Sequence, residues 1–272
     1  MIGLILKNIL RSHVLKTGVL LLFGTGLLSL WIGFQFQQRL KSNVEESALH
    51  QQESLIRLSN TFQDDLGYML YYAKFSLFNE LEALSGLVIG QRDINPSLKS
   101  FTIRGLEAQK YDAELKNPVN ALLGNLDYAF VLIYLFPLLI IALCFNIITE
   151  EKETGTWSII AVQEKRTFTY LGLQYGIRYC IVMIVLALLF LVATPLFNIS
   201  PDSRLLNLVW LSSLYVLVWF SICIWVTSIN KSSSQHAILL LCLWLGLLVL
   251  LPTAMNNYIS YKYPIQEAFE TT

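Results

Sequence analysis

Leu126–Ile148 reads LDYAFVLIYLFPLLIIALCFNII, and its only charged residue, Asp127, stands at the very start. Crossing the hydrocarbon core of a bilayer takes about 20 mostly apolar residues. This stretch meets that length with almost nothing that would need water. Moving outward along the chain, comparable runs occur at Val14–Phe34, Phe168–Phe197, Leu205–Ile229 and Ala237–Ala254. The composition agrees with lipid as the solvent. Hydrophobic residues make up 55% of the chain and charged residues 14%, where a soluble domain carries about 25% charged residues. The sequence therefore predicts an all-α polytopic membrane protein with about five transmembrane helices. The first run is too long for the core of a signal peptide and lacks a small-residue cleavage site after it, so it reads as a retained anchor.

Lys and Arg in short loops set the expected orientation. Lys7, Arg11 and Lys16 precede the first run, Lys152, Lys165 and Arg166 lie between the second and third, and Lys231 lies between the fourth and fifth. Placing these in the cytoplasm leaves only Arg204 and Lys262 in the short segments outside. The N-terminus is then cytoplasmic and the C-terminus outside. Four regions follow: 1–34, an interfacial helix and the first span; 35–125, a mainly helical extracytoplasmic insert; 126–254, spans two to five with a cytoplasmic loop at 149–167; and 255–272, an outer tail. In the first region Lys7, Asn8, Arg11 and Ser12 share one helical face and Ile2, Ile5, Leu6 and Ile9 another, the pattern of a helix lying among lipid headgroups.

Within the insert, Leu55, Leu58, Phe62, Leu66 and Met69 recur at three- and four-residue steps, which predicts an amphipathic helix over Lys41–Phe78. Asn95-Pro96 and Asn117-Pro118 punctuate a more irregular stretch, Gly86–Asn120. Two readings stand: a small cap that buries its own stripe, or a gate or docking surface for a partner.

Several functions are disfavoured. Net charge is zero, so no basic field exists to hold nucleic acid. The phosphate-binding pattern Gly-x-x-x-x-Gly-Lys-Ser/Thr is absent, and no cofactor is expected. His13, His50 and His236 are far apart and do not share one side of the membrane, so they form no metal site. Cys144, Cys180, Cys223 and Cys242 all lie in apolar runs and read as packing residues. No nucleophile and base stand at matching depth, which argues against an intramembrane enzyme.

Charges in lipid are costly and draw attention. Arg178 falls well inside the third run. It either snorkels to the interface or faces inward toward an acidic partner from the Glu150-Glu151 end. Asp127 opens the second span on the outer side, where either solvation or a helix N-terminus accommodates it. Together they are the possible intramembrane polar site. Pro137 sits mid-span and predicts a kink. After the second span, Glu150, Glu151 and Glu153 extend the helix into water, Gly155 breaks it, and Trp157, Ile159 and Ile160 show apolar surface. Such an elbow suits either docking into a groove of another protein or an ordinary interfacial loop.

Glu151-Lys152-Glu153-Thr154-Gly155-Thr156, placed directly after a second span, resembles the Glu-x-Glu-x-Gly-Thr signature of ABC-2-type exporter permeases. The stretch Leu84–Asn117, with Ile89-Gly90-Gln91-Arg92-Asp93 and Gly105-Leu106-Glu107-Ala108-Gln109, is similar to a bacterial branch with a long extracytoplasmic loop. So is Gly124-Asn125-Leu126-Asp127 leading into Pro137-Leu138-Leu139. The resemblance covers about half the chain in detail and the rest by span order. It implies a permease subunit of the bacterial inner membrane, surrounded by lipid and paired with a second permease copy or homologue. ATP hydrolysis would occur in a separate cytoplasmic ABC ATPase subunit. That subunit would couple through Glu151, Glu153, Gly155, Thr156, Trp157 and Ile160. Permeases of this kind usually have six spans, where this sequence reads as five.

Overall fold

A computed structural model describes residues 2–63, 65–78, 82–90, 92, 98–103, 125–153, 155, 157, 167–229 and 231–263. Among them, five helices are long and apolar enough to cross a membrane, and the chain is an all-α polytopic membrane protein. A short helix α1 (Ile2–Arg11) precedes the first long helix, α2 (His13–Thr61), and α3 (Leu66–Tyr72) follows it. The other long helices are α4 (Tyr128–Glu153), α5 (Thr167–Leu196), α6 (Ser203–Ser228) and α7 (Ser233–Lys262). In α1, Ile9 is buried while Lys7, Asn8 and Arg11 are exposed, and so is Leu6, which the sequence placed with Ile9 on the apolar face.

The region after the first span corrects the sequence reading. Helix α2 does not end near Phe34 but runs for 49 residues from His13 to Thr61, because no proline or glycine after Gly33 interrupts it. The amphipathic helix expected over Lys41–Phe78 then stops. Asp65 caps α3 by accepting from the amides of Gly67 (2.9 Å) and Tyr68 (3.1 Å). Ala73 ends α3, and the chain becomes strand β1 (Lys74–Phe78), paired antiparallel with β2 (Leu98–Thr102). Phe75 faces Phe101 at 5.8 Å between ring centres, and the hydroxyls of Ser76 and Ser100 meet at 3.2 Å. Cross-strand pairs of these types stabilise sheets. The Ser76 amide donates to the Gln51 side chain of α2 (3.0 Å). The stripe itself forms no closed core: Leu55, Leu58 and Phe62 are half-buried and Leu66 is 66% exposed. Phe62 instead stacks on Tyr68 and Tyr72 at 6.1 and 5.9 Å.

The chain divides into two compact units. One unit holds 27–129 together with 192–201. There Gly33 of α2 lies against the Gly86 carbonyl, and Gly86 against the Phe197 ring. These close approaches need glycine at both positions and draw the upper part of the first span into this unit. Asn198 takes a left-handed conformation (φ 50°) and the Ile199 amide returns to the Thr194 carbonyl (2.9 Å), closing the end of α5 as helix C-termini commonly close.

The other unit holds 1–26, 130–191 and 202–272. Its centre is α4, half of whose apolar window is buried, against 6% for α7. Gly18 and Gly26 of α2 bring that helix close to Leu139 and Leu189. Pro137 distorts α4 as expected, through a π-helical turn at Val131–Leu135. Helix α7 repeats the device: a π turn at Gly246–Leu250 precedes Pro252. In each case the proline, which has no N–H to donate, is the second residue after the turn. Carbonyls near the first break find partners elsewhere. Tyr215 of α6 donates to the Ile133 carbonyl (2.8 Å) and Trp244 of α7 to the Tyr134 carbonyl (3.2 Å). Helix α7 also runs past Ala254 to Lys262, so residues 255–262 are helical rather than tail; residues 264–272 lie outside the described residues.

Candidate functional site

Tyr170, Gln174 and Arg178 recur every four residues along α5 and so share one face. Arg178 donates through Nη1 to the side-chain oxygen of Gln174 (2.5 Å) and to its backbone carbonyl (3.2 Å). Gln174 donates to the Tyr170 hydroxyl (3.0 Å), and that hydroxyl donates to Glu151 Oε1 at the end of α4 (3.1 Å). Arg178 is thus connected to the acidic end of α4 as one of the sequence readings held, but through two neutral side chains rather than by an ion pair. The row borders a cavity of about 570 Å³ whose walls include Arg11, Ser12, Asn146 and Glu150.

The end of α4 is fastened to two other helices. Asn146 donates to Glu150 (2.7 Å) within α4. Thr149 accepts from the Ser233 hydroxyl (2.6 Å) and Glu153 accepts from the Ser233 amide (3.2 Å). Ser233 opens α7, whose first turn is closed by a reciprocal capping pair, Ser232 and Gln235. One turn on, His236 is buried and pairs with the Ile229 carbonyl (2.7 Å). Glu151 faces α5 and Glu153 faces α7. Beyond them Gly155 adopts φ 75°, a conformation that side chains resist. Trp157 is half-buried with the Lys152 ammonium 5.7 Å from its ring centre. Thr156 and Ile160 lie outside the described residues.

Asp127 serves a different purpose from the one its position suggested. It is buried at the entry to α4, and its carboxylate accepts from the backbone amides of Ile89 (2.9 Å) and Gly90 (3.3 Å). Gly90 is left-handed (φ 55°), which turns successive amides toward the carboxylate. The Tyr128 amide in turn bonds the Leu87 carbonyl (3.2 Å). Asp127 is therefore a clamp on the Leu87–Gly90 turn.

No protein-family model matches the chain, and neither does a curated protein or a solved structure. The parts themselves define what the site can do. It contains a fork of hydrogen-bond donors, a hydrogen-bonded row along α5, and an acidic elbow that joins three helix ends and projects an aromatic side chain. Among the described residues, this assembly ties the end of α4 to α5 and to α7.

The sequence reading missed the buried row on α2. Gly26, Ser29, Leu30, Gly33 and Gln37 are all buried, and the signal was present in their three-, four- and seven-residue spacing. Small residues in that pattern mark close approach of helices in membranes.

Proposed function

We propose that this chain is the membrane-spanning half of an ABC-2-type exporter, driven by a cytoplasmic ABC ATPase subunit and completed by a second permease copy or homologue. In this reading it sits in a bacterial inner membrane with its N-terminus cytoplasmic and its C-terminus outside. The ATPase docks on the segment after α4, where Glu151, Glu153, Gly155 and Thr156 match the permease signature and Trp157 and Ile160 follow as apolar anchors.

The observation that carries this reading is how the elbow is fastened. Glu151 is bonded to α5 and Glu153 to α7, so a displacement at Gly155–Trp157 pulls on three spans together. A loop that served only as a connection would not need bonds to both following helices. Trp157 supplies the kind of aromatic anchor that dominates protein contacts, and Lys152 with the three glutamates supplies charge that selects the partner.

A rival reading is a membrane scaffold that holds a partner through its insert, favoured by the exposed aromatic group Tyr68, Tyr71 and Tyr72. Isolation of the tagged chain with a co-encoded ATPase separates the two. Trp157→Ala and Glu153→Lys are expected to lose the ATPase while the chain still inserts. Replacing Tyr68 and Tyr71 by Ala is expected to retain it. Full ATPase recovery with both elbow variants would refute docking at this segment.

A further inference from the structure

Arg178 carries its charge into the apolar length of α5, where among the described residues no carboxylate is in direct contact with it. A guanidinium has five N–H donors, and the hydrogen bonds it makes use Nη1 alone, both to the neutral Gln174. Ion pairs between described residues are found on α2, between Glu46 and Arg57. Neither Arg178 nor Arg11 is in one. An arginine at such a position ordinarily faces a carboxylate or a bound anion, because an unbalanced charge near lipid is costly. Gln174 is buried and orients the arginine, but being neutral it supplies no counter-charge of its own.

The space that Arg178 borders is shaped for a ligand. It measures about 570 Å³, within the roughly 300–1,000 Å³ range of small-molecule sites. Arg11 and Arg178 stand in its walls together with Glu150 and Glu151, so positive and negative groups face one cavity. It opens among helix ends: the junction of α1 and α2, the end of α4 and the first turns of α5. Helix ends of this sort lie at headgroup depth, and basic pockets between transmembrane helices at that depth hold lipid headgroups.

We infer that this cavity binds a zwitterionic phospholipid headgroup of the phosphoethanolamine type, with its phosphate on Arg178 and Arg11 and its ammonium toward Glu150. The planar guanidinium matches two phosphate oxygens at once. The acidic wall supplies the selectivity. A headgroup with a phosphate but no amine meets Glu150 and Glu151 as like charges, whereas an ammonium is attracted to them. The inference stands apart from the ATPase reading, since binding would occur in the isolated chain.

The test uses the full chain purified in detergent, with bound lipid counted by native mass spectrometry during titration. The wild type is expected to take up phosphatidylethanolamine at least about tenfold more tightly than phosphatidylglycerol, the scale of one charge-assisted contact. Arg178→Gln is expected to lose about tenfold for both lipids, and Arg178→Lys to recover part of it. Glu150→Gln is expected to abolish the preference between them while binding persists. Arg11→Gln and Glu150→Gln replace exposed side chains, so they carry the test even where Arg178→Gln does not fold. Equal or tighter binding of phosphatidylglycerol by the wild type would overturn the inference. So would lipid binding unchanged in a folded Arg178→Gln protein, or in Arg11→Gln and Glu150→Gln together. Displacement of the lipid by inorganic phosphate at equal affinity would overturn the headgroup as the ligand and assign the site to a free anion.

Discussion

Alanine at three glycines of α2 separates ordinary helix propensity from close packing. In an exposed helical position, Gly→Ala stabilises by roughly 0.5–1 kcal/mol, because glycine loses more backbone freedom on folding. Gly24 is half-buried, yet an added methyl there meets none of the described residues within 4 Å, so the same gain is expected. At Gly26 the methyl would stand 2.7 and 2.8 Å from the terminal carbons of Leu189. A leucine end can rotate away, so the propensity gain and the repacking cost nearly cancel. At Gly33 the methyl would fall within the Gly86 carbonyl oxygen, which is backbone and is backed by the Phe197 ring. Overpacking typically costs about 1–3 kcal/mol, and more where backbone must move. Gly33→Ala should therefore destabilise by about 3 kcal/mol, net of propensity. The assay is thermal unfolding of the purified protein in detergent, followed by helical circular dichroism. The expected order of stability is Gly24→Ala, then wild type and Gly26→Ala together, then Gly33→Ala far below. Gly33→Ala unfolding at the wild-type temperature would show that α2 and the Gly86 turn do not pack as described.

Asp127→Ala should cost about 2–3 kcal/mol by leaving the Ile89 and Gly90 amides without their charged acceptor. Limited proteolysis is expected to cut near residues 82–92 faster than in the wild type, with Asp127→Asn intermediate; identical digestion would remove the clamp. Tyr215→Phe leaves the Ile133 carbonyl without its donor, at a cost of about 0.5–1.5 kcal/mol, read as a lowered unfolding temperature. No shift would show that the carbonyl is satisfied otherwise. For topology, Ser59→Cys and Ser158→Cys are compared in a background lacking the four native cysteines. An impermeant thiol reagent on intact cells should label position 59 and not 158; the reverse would invert the membrane orientation.

The spans were legible because a long apolar run admits few structures in lipid, where every backbone group must be bonded within its own segment. The third and fourth runs, read as Phe168–Phe197 and Leu205–Ile229, lie within a residue or two of α5 and α6. Less of the insert could be read. The helical spacing of Leu55, Leu58, Phe62 and Leu66 is real, but it does not foretell the cap at Asp65. The β1–β2 pairing depends on Phe75 meeting Phe101, a contact distant in sequence. The site was legible in part. Tyr170, Gln174 and Arg178 stand at helical spacing, and the acidic run at Glu150–Glu153 was evident. Their connection through Tyr170, and that of Glu153 to Ser233, depends on how separate helices pack. Pro137 announced a disturbed helix, though nothing local pointed to Tyr215 and Trp244 as donors to the carbonyls around it.

The coupling role is tested most directly by ATP hydrolysis in proteoliposomes that hold the chain and its co-encoded ATPase. Gly155→Val is the decisive variant, since it forces a branched side chain into a left-handed position (φ 75°) where an added methyl meets none of the described residues within 4 Å. Any loss then comes from the changed course of the elbow and not from a crowded core. The expected result is a chain that inserts, unfolds at the wild-type temperature and no longer stimulates hydrolysis by the ATPase. Stimulation of hydrolysis by Gly155→Val equal to that of the wild type would contradict the elbow as the path by which ATP hydrolysis reaches this protein.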